Sequence, residues 1–369
     1  MRIGLTGING FIGFHLSNSL QLLDDIELIE FQRDFFVDSN KLDNFFLNTD
    51  IVVHLAGVNR ASDESDILQI NSMLANSLAE SAARINFKGK LIYISSIQED
   101  TKSVYGKSKL LARKILTQAS YEHGFKFTAL IVPNVFGAFC KPNYNSFIAT
   151  FSDLLIKGEE PTIIDDQKIK LIYIDNLVNL IINEFKKQPN EKVNVASDEE
   201  LMVSAVLNKL KEFKGLYIND GELPNLNNQF DIALFNTFRS HIEHEKWFPK
   251  KYKNNVDSRG NFIEVLRSNS KGQYSYSSTK PGVERGNHFH TRKIERFAVI
   301  NGEALIRLRK IGSDKVIEYK LSGDNPSFID MPIWHTHSIE NIGENDLITL
   351  FWINEPYNEK DPDTFFEKV

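Results

Sequence analysis

The sequence predicts an α/β doubly wound parallel sheet followed by an all-β jelly roll, and three observations lead there. The chain has 369 residues, beyond the roughly 250–300 at which one core usually gives way to two. Its first part alternates short apolar runs with longer helical patterns, whereas from about Lys250 onward the helical patterns stop. That last stretch instead holds many short β-rich runs separated by Gly, Asp, Asn and Pro, the texture of an antiparallel sandwich or barrel.

In the first part, Ile3–Leu5, Glu27–Phe31, Ile51–Ala56, Lys90–Ser95 and Phe127–Val132 read as strands, with Phe11–Leu23, Asn71–Ile85 and Lys107–Glu122 as helices between them. Strands joined through helices cannot pair as hairpins; the crossovers make them parallel and cover both faces. Past Lys141 the rhythm loosens, and Asn145–Ile156, Asn176–Lys187 and Val203–Phe213 read as helices of a substrate-binding lobe. The β-rich runs are GNFIEVLR, GQYSYSST, ERFAVI, EALIRLRK, VIEYKLS, PSFIDM, HSIENI and LITLFWI. The basic, proline-broken stretch HEKWFPKKYKN sets the expected boundary, giving domains 1–247 and 248–369.

Composition narrows the function classes. Hydrophobic residues at 41% and charged residues at 25% are the balance of a soluble globular protein. A net charge of −6 argues against a polyanionic partner such as nucleic acid. Cys140 is the single cysteine, so neither an intrachain disulfide nor a cysteine-based zinc site can form. The N-terminus enters an apolar strand without a basic and apolar leader, and no run reaches the ~18 apolar residues of a membrane span. These features predict a cytoplasmic protein with no membrane partner.

Two stretches carry chemistry in the first part. RIGLTGINGFIG places Gly7, Gly10 and Gly13 between a strand and a helix, where bare backbone can approach a pyrophosphate and helix N–H groups can face its charge. In SVYGKSKLLARK, Tyr105 and Lys109 are four residues apart on a helix and share a face. An ammonium so placed is expected to lower the phenol's pKa and tune it for proton exchange with an alcohol or ketone. Ser96, ending the strand KLIYISS, is placed to hydrogen-bond the same substrate oxygen.

Together with HLAG at His54–Gly57, these motifs resemble the extended short-chain dehydrogenase/reductases, Rossmann-type enzymes acting mostly on nucleotide sugars. The likeness covers roughly the first 245 residues. It implies that Tyr105 is the catalytic acid, Lys109 its partner and nicotinamide-ribose ligand, and Ser96 the donor that orients the carbonyl. It also implies a dinucleotide held by Gly7, Gly10, Phe11, Ile12 and Gly13 and by Leu55, Ala56 and Gly57. PNVFG at Pro133–Gly137 and KLIYIDNL around Asp175 look like the family's later substrate-side segments.

Cofactor choice turns on the end of the second strand, where a carboxylate binds the ribose of NAD and an arginine accommodates the 2′-phosphate of NADP. The chain reads LIEFQRD, with Gln32 and Arg33 at that position, so NADPH is expected. Glu30 becomes the ribose ligand if the strand ends two residues earlier.

In the β-rich part, His288 and His290 are two apart in a strand-like run, Glu295 follows, and His335 and His337 form a second pair. Imidazoles and a carboxylate suit zinc, iron, manganese or nickel, with zinc the expected ion. The spacings Gly282, His288-x-His290, Glu295 and Gly302, then Pro332, His337 and Asn341, resemble the two cupin motifs. That resemblance implies His288, His290, Glu295 and His337 as ligands of one divalent metal. Two departures stand out: Trp334 replaces the usual glycine, and His335 is an extra imidazole.

An extended reductase joined to a metal cupin resembles the bifunctional UDP-sugar 3-epimerase/4-reductases of capsule synthesis, with HLAGVNR, KPNYNSFIATF, DSRGNFIE, KPGVERGNHFH and DPDTFFEKV as the supporting stretches. The resemblance implies a UDP-linked 4-keto-6-deoxy-amino sugar as substrate. It also implies inversion at carbon 3 in the cupin and NADPH reduction at carbon 4 in the N-terminal domain. A homodimer is expected. Whether the metal is catalytic or structural stays open, and the acid and base for inversion are unassigned, with His335 and Tyr319 suggested by location. The alternatives are a nucleotide-sugar reductase or 4-epimerase whose cupin only binds or dimerises, a non-catalytic dinucleotide or sugar sensor, and an iron oxygenase.

Overall fold

The structure, a computed structural model, describes residues 1–257, 260–263, 265–266, 268, 272–355 and 357–369. Glu264 and Arg267 of the expected strand GNFIEVLR, and Ser258, Arg259 and Glu264 of DSRGNFIE, lie outside the described residues. Internal packing divides the chain into two compact units, Met1–Thr150 with Ile163–Val203, and Phe151–Thr162 with Ser204–Val369. The expected boundary at 247/248 therefore falls within the second unit. Sequence texture switches from helix to strand there, but the helices after Val203 pack with the strands, as when Arg239 donates to the Met331 carbonyl at 3.3 Å.

The first unit holds strands β1 (Arg2–Thr6), β2 (Glu27–Ile29), β3 (Ile51–His54), β4 (Lys90–Ser96), β5 (Lys126–Val132), β6 (Asn134–Phe136), β7 (Lys168–Tyr173), β8 (Asn190–Asn194) and β9 (Glu199–Met202). Six of them form a sheet in the order β2-β1-β3-β4-β5-β8, and every pairing in it is parallel. The order reverses between β1 and β3, which opens a crevice at their C-terminal ends, the position where such sheets bind ligands. Helices α1 (Phe11–Gln21), α2 (Ser39–Leu47), α3 (Glu64–Arg84) and α4 (Val104–His123) are crossovers, and α5 (Phe147–Ile156, its residues from Phe151 on belonging to the second unit) and α6 (Ile174–Glu184) follow.

Local chemistry sets the helix ends. The Ser103 hydroxyl accepts from Gly106 N to start α4, and Gly124 at φ 74° ends it in the left-handed conformation. Asp38 caps α2 through Asn40 and Lys41 N–H groups, a short helix the periodicity does not reveal. One core gathers Leu42, Phe45, Phe46, Leu78, Leu91 and Tyr93. Each such side chain contributes about 1.5–3 kcal/mol by leaving water.

The second unit carries α7 (Val203–Phe213, its first residue belonging to the first unit), a π-helical turn at Lys214–Asn219, α8 (Gln229–Arg239) and α9 (His244–Trp247). Its strands are β10 (Lys250–Lys251), β11 (Asn254–Asp257), β12 (Gly260–Ile263), β13 (Gln273–Thr279), β14 (Glu284–Phe289) and β15 (Glu295–Asn301). They continue with β16 (Glu303–Lys310), β17 (Val316–Ser322), β18 (Ser327–Met331), β19 (His335–Asn341), β20 (Leu347–Ile353) and β21 (Phe365–Phe366). Two five-stranded sheets result, β10-β18-β15-β20-β13 and β17-β16-β19-β14-β21. A core of Val299 and Ile329 from one, and Ile306, Leu308 and Ile339 from the other, joins them as the expected sandwich.

Candidate active site and candidate metal centre

At the crevice, the turn after β1 is shaped for close approach. Gly7 sits at φ +76°, and a Cβ there would lie 2.8 Å from Ala56 N; one on Gly13 would lie 2.3 Å from the Gly7 carbonyl oxygen. Gly10 is the N-cap of α1 with no side chain to cap it, so the first N–H groups of Phe11, Ile12 and Gly13 face out of the helix end. These features fit a dinucleotide phosphate. Leu55 and Ala56 N–H groups both reach the Thr6 hydroxyl at 3.2 Å. That hydroxyl lies 2.7 Å from His54 Nδ1, which ties the ends of β1 and β3 together. Burial, aided by the Lys109 charge, holds His54 neutral with its pKa down to about 3.

Asn71 was not singled out from the sequence, yet it organises this region. Its side chain exchanges two 2.8 Å hydrogen bonds with the Val58 backbone and donates to Ser108 Oγ at 2.9 Å. Ser108 in turn donates to the Tyr105 carbonyl at 2.7 Å. A buried asparagine inside the apolar face of α3 was the available signal.

Tyr105 and Lys109 stand on the first turns of α4. Lys109 Nζ lies 6.0 Å from the Tyr105 ring centroid and 4.6 Å from that of Tyr93. The expected lowering of the phenol does not occur: burial pushes Tyr105 up to about 12, with Tyr144 adding to the effect. The shift falls on the lysine instead, where burial brings Lys109 down to about 8 against the opposing charge of Glu99. Glu99 is buried, accepts from Ser95 and meets the Arg113 guanidinium at 2.9 Å. Ser96 ends β4, and its oxygen accepts from Gln98 N at 3.2 Å, which leaves the hydroxyl hydrogen for another acceptor.

The second strand stops at Ile29, so Glu30 is the first residue beyond it. Gln32 and Arg33 follow, both exposed, and Gln32 Nε2 donates to Glu30 Oε1 at 2.7 Å. Both readings of cofactor choice thus keep their residues near the strand end. Asp175, in the first turn of α6, lies 3.8 Å from His15 Nδ1.

In the second unit, the expected ligands converge from both sheets. His288 on β14 and His337 on β19 are cross-strand partners, whereas Glu295 opens β15 in the other sheet and His290 lies just beyond β14. Their ligand atoms all lie within 4.8 Å of one another. His290 Nε2 and His337 Nε2 are 3.1 and 3.2 Å from Glu295 Oε2. All three atoms are buried without a hydrogen-bond partner among the described residues. Buried polar atoms left open toward one point are what a cation would satisfy, so the residues fit a metal ion.

The strand β14 is shaped for this. A bulge between Gly286 and His288 re-aims the histidines. Asn287 there has φ 58°, and a Cβ on Gly286 would lie 2.7 Å from the His337 carbonyl oxygen. Trp334, the departure from the cupin pattern, also holds φ 57°. Its ring stacks on Phe289 at 5.5 Å, and its backbone N–H donates to the His290 carbonyl at 2.7 Å. Packing thus holds a tryptophan in the conformation that glycine usually supplies.

Electrostatics follow from proximity. Burial, then His337 and His290, bring His288 down to about 4. Burial disfavours charge on His290, but facing Glu295 outweighs it and raises that imidazole. Burial likewise raises Glu295, and the His290 and His337 rings hold it well below the usual carboxylate range. His335 stands outside the converging set, its Nδ1 3.0 Å from the Ile333 carbonyl oxygen and its pKa down to about 3 through burial. Tyr319 on β17 lies 2.7 Å from His244 Nδ1.

A doubly wound parallel sheet with a tyrosine–lysine helix, followed by a sandwich with a histidine–carboxylate cluster, defines a class of protein that comparisons with known proteins match. The chain belongs to the NAD dependent epimerase/dehydratase family, which residues 3–196 match. Residues 255–365 match the polysaccharide biosynthesis C-terminal domain. Over 371 residues the chain is 32% identical to the UDP-2-acetamido-2,6-beta-L-arabino-hexul-4-ose reductase of Pseudomonas aeruginosa, covering 99% of this chain and 98% of that protein. It is also similar to the crystal structure of the capsular polysaccharide assembling protein CapF from Staphylococcus aureus, at 33% identity and TM-score 0.63 with both chains fully covered. The spore coat polysaccharide biosynthesis protein SpsL of Bacillus subtilis is 27% identical over 124 residues, 31% of this chain and 82% of that protein. Among the described residues no helix is long and apolar enough to cross a membrane.

Proposed function

We propose that this chain is a bifunctional nucleotide-sugar enzyme. The C-terminal site inverts carbon 3 of a UDP-2-acetamido-2,6-dideoxy-hexos-4-ulose. The N-terminal site, with NADPH, reduces the carbon-4 ketone to UDP-2-acetamido-2,6-dideoxy-L-talose, on the route to UDP-N-acetyl-L-fucosamine. The observation that carries the reading is the coexistence in one chain of the Tyr105–Lys109 pair and the four-ligand cluster. The full-length likeness to a UDP-sugar reductase supports it.

Chemistry fixes the order of steps. A proton beside a ketone is removable because the charge left behind spreads onto oxygen, so inversion at carbon 3 must precede reduction at carbon 4. At the N-terminal site the bound cofactor supplies the hydride that adds to carbon 4. Tyr105, a neutral phenol across the physiological range, gives its O–H proton to the former carbonyl oxygen, completing the alcohol. Lys109 carries a charge near the resulting phenolate and favours it, and the Ser96 hydroxyl hydrogen orients the carbonyl. Arg33 would meet the 2′-phosphate of NADPH.

At the C-terminal site His288, His290, Glu295 and His337 would hold one divalent ion, with zinc suited to the set. When bound, the ion supplies Lewis-acid stabilisation of negative charge on the substrate oxygen, worth several kcal/mol. The chain's own residues fix the site before any ligand arrives, through the bulge at Asn287 and the hydrogen bond from Trp334 to the His290 carbonyl. The reading takes the enzyme to be cytoplasmic and a homodimer, with β13 and β17 available as sheet edges.

Incubation of the purified protein with NADPH and the UDP-4-keto sugar tests the proposal. One equivalent of cofactor oxidised per sugar, and a product with inverted carbon 3 by NMR, are expected. No cofactor oxidation would refute it.

A further inference from the structure

Three lysines are buried among the described residues, Lys90, Lys109 and Lys293. A buried ammonium is costly unless something answers its charge. Carbonyl oxygens answer two of the three: Lys90 Nζ donates to the Glu184 and Lys187 carbonyls, and Lys293 Nζ donates to that of Pro362 at 2.6 Å. No described residue accepts a hydrogen bond from Lys109 Nζ, which stands instead over the ring of Tyr93, 4.6 Å from its centroid.

The face of an aromatic ring is negative and attracts a cation within about 6 Å, more strongly where water is excluded. The Tyr105 ring, at 6.0 Å, stands at the limit of that range. Tyr93 is a fixed seat. It lies on β4 and is 1% exposed. Its ring stacks on that of His54 at 5.5 Å and 24°, and its hydroxyl donates to the Lys109 backbone carbonyl at 3.4 Å. One side chain therefore meets Lys109 at both its backbone and its ammonium. Burial, helped by Tyr105 and Glu99, raises the Tyr93 phenol well above its usual range, so the ring stays neutral.

The other groups around this lysine do less for its charge. His54 on β3 is neutral, and Tyr105, with Tyr144 beyond it, is a neutral phenol. Glu99, in the turn after β4, opposes the burial of Lys109. Its carboxylate, however, already meets the guanidinium of Arg113 on α4 at 2.9 Å.

We propose that Tyr93 is a positioning residue of the N-terminal site: the face of its ring seats the Lys109 ammonium and keeps it charged beside Tyr105. The proposal deepens the reductase reading and rests on it for the use made of that charge.

The test reads the lysine itself, by NMR of the full-length protein isotopically labelled at lysine Cε, with no NADPH added. The Lys109 signal is the one absent from Lys109→Arg. In the wild type it is expected to titrate at about 8, and Tyr93→Phe, which keeps the face, is expected to leave that midpoint in place. Tyr93→Leu, which removes the face, is expected to lower the midpoint by about one pH unit. Pentafluorophenylalanine in place of Tyr93 keeps the ring's shape but drains its face of negative charge. It is expected to lower the midpoint too, and it decides the matter if the leucine variant does not fold. The high-pH limb of kcat/KM for reduction should move down with the midpoint, which a merely structural role for the ring would not produce. An unchanged or raised midpoint with the fluorinated ring, or an equal fall in Tyr93→Phe, would overturn the seat. The expected falls in a protein that reduces no UDP-4-keto sugar would uphold the seat while removing the reductase reading.

Discussion

The backbone carbonyl of Asp363 accepts a hydrogen bond from Nδ1 of His290, and the Asp363 carboxylate gathers the loop that follows this histidine. It accepts from Thr291 N at 3.0 Å and Oγ1 at 2.7 Å, Arg292 N at 3.1 Å and Lys293 N at 3.0 Å. The bond at Nδ1 fixes the tautomer that leaves Nε2 free to ligate. Asp363→Ala keeps that backbone carbonyl but removes the carboxylate that holds the loop beside His290, and is expected to weaken metal affinity about 10- to 100-fold, measured by competition with a chromogenic chelator. Wild-type affinity in this variant would show the loop needs no such anchor.

Tyr105→Phe keeps the ring and removes the proton donor. Reduction at carbon 4 is expected to fall at least about 100-fold, with carbon-3 exchange unchanged because it belongs to the other unit. Stopped-flow absorbance at the reduced-nicotinamide band reads the first and NMR the second. Loss of both in a folded variant would contradict independent sites.

Lys109 gives a pH dependence with a definite sign. Its folded pKa, about 8 through burial, lies below its ordinary value of 10.5, so the folded protein binds fewer protons than the unfolded chain between those values. The cost of burying the ammonium is present below pH 8 and is relieved as pH rises toward 10.5. Activity runs the opposite way. The kcat/KM of reduction should decline above pH 8 as the lysine loses its charge, while Tyr105, at about 12, stays protonated. A profile flat to pH 10 would remove Lys109 from the chemistry.

Trp334→Gly relieves a left-handed backbone position and empties a buried one. The side chain is 1% exposed, and losing an indole from a core costs about 3–5 kcal/mol, against about 1–2 kcal/mol regained from φ. Net destabilisation of about 1–4 kcal/mol by denaturant titration is expected. Equal or greater stability would mean that the ring's packing on Phe289 contributes little.

Much of this was legible in the sequence because the signals are local. Glycine spacing marked the turn after β1, and i, i+4 spacing placed Tyr105 with Lys109. The strand runs and histidine spacings pointed to His288, His290, Glu295 and His337, which the fold brings together, while His335 stays outside the group. What escaped depends on tertiary neighbours. Burial reverses the expected shift of Tyr105, and Asn71 earns its role from Val58 and Ser108 far along the chain. Asp363 acts from the C-terminal end on His290, and Glu295 joins its partners across two sheets. Trp334 departs from the motif, and its seat on Phe289 and its backbone bond to the His290 carbonyl are tertiary contacts that spacing does not reveal.

The most direct measurement is one turnover in heavy water with NADPH and the UDP-4-keto sugar, followed by NMR of the product. One deuterium at carbon 3 of every reduced sugar, with one NADPH oxidised, is expected. A reduced sugar that keeps its original hydrogen and configuration at carbon 3 would contradict the account.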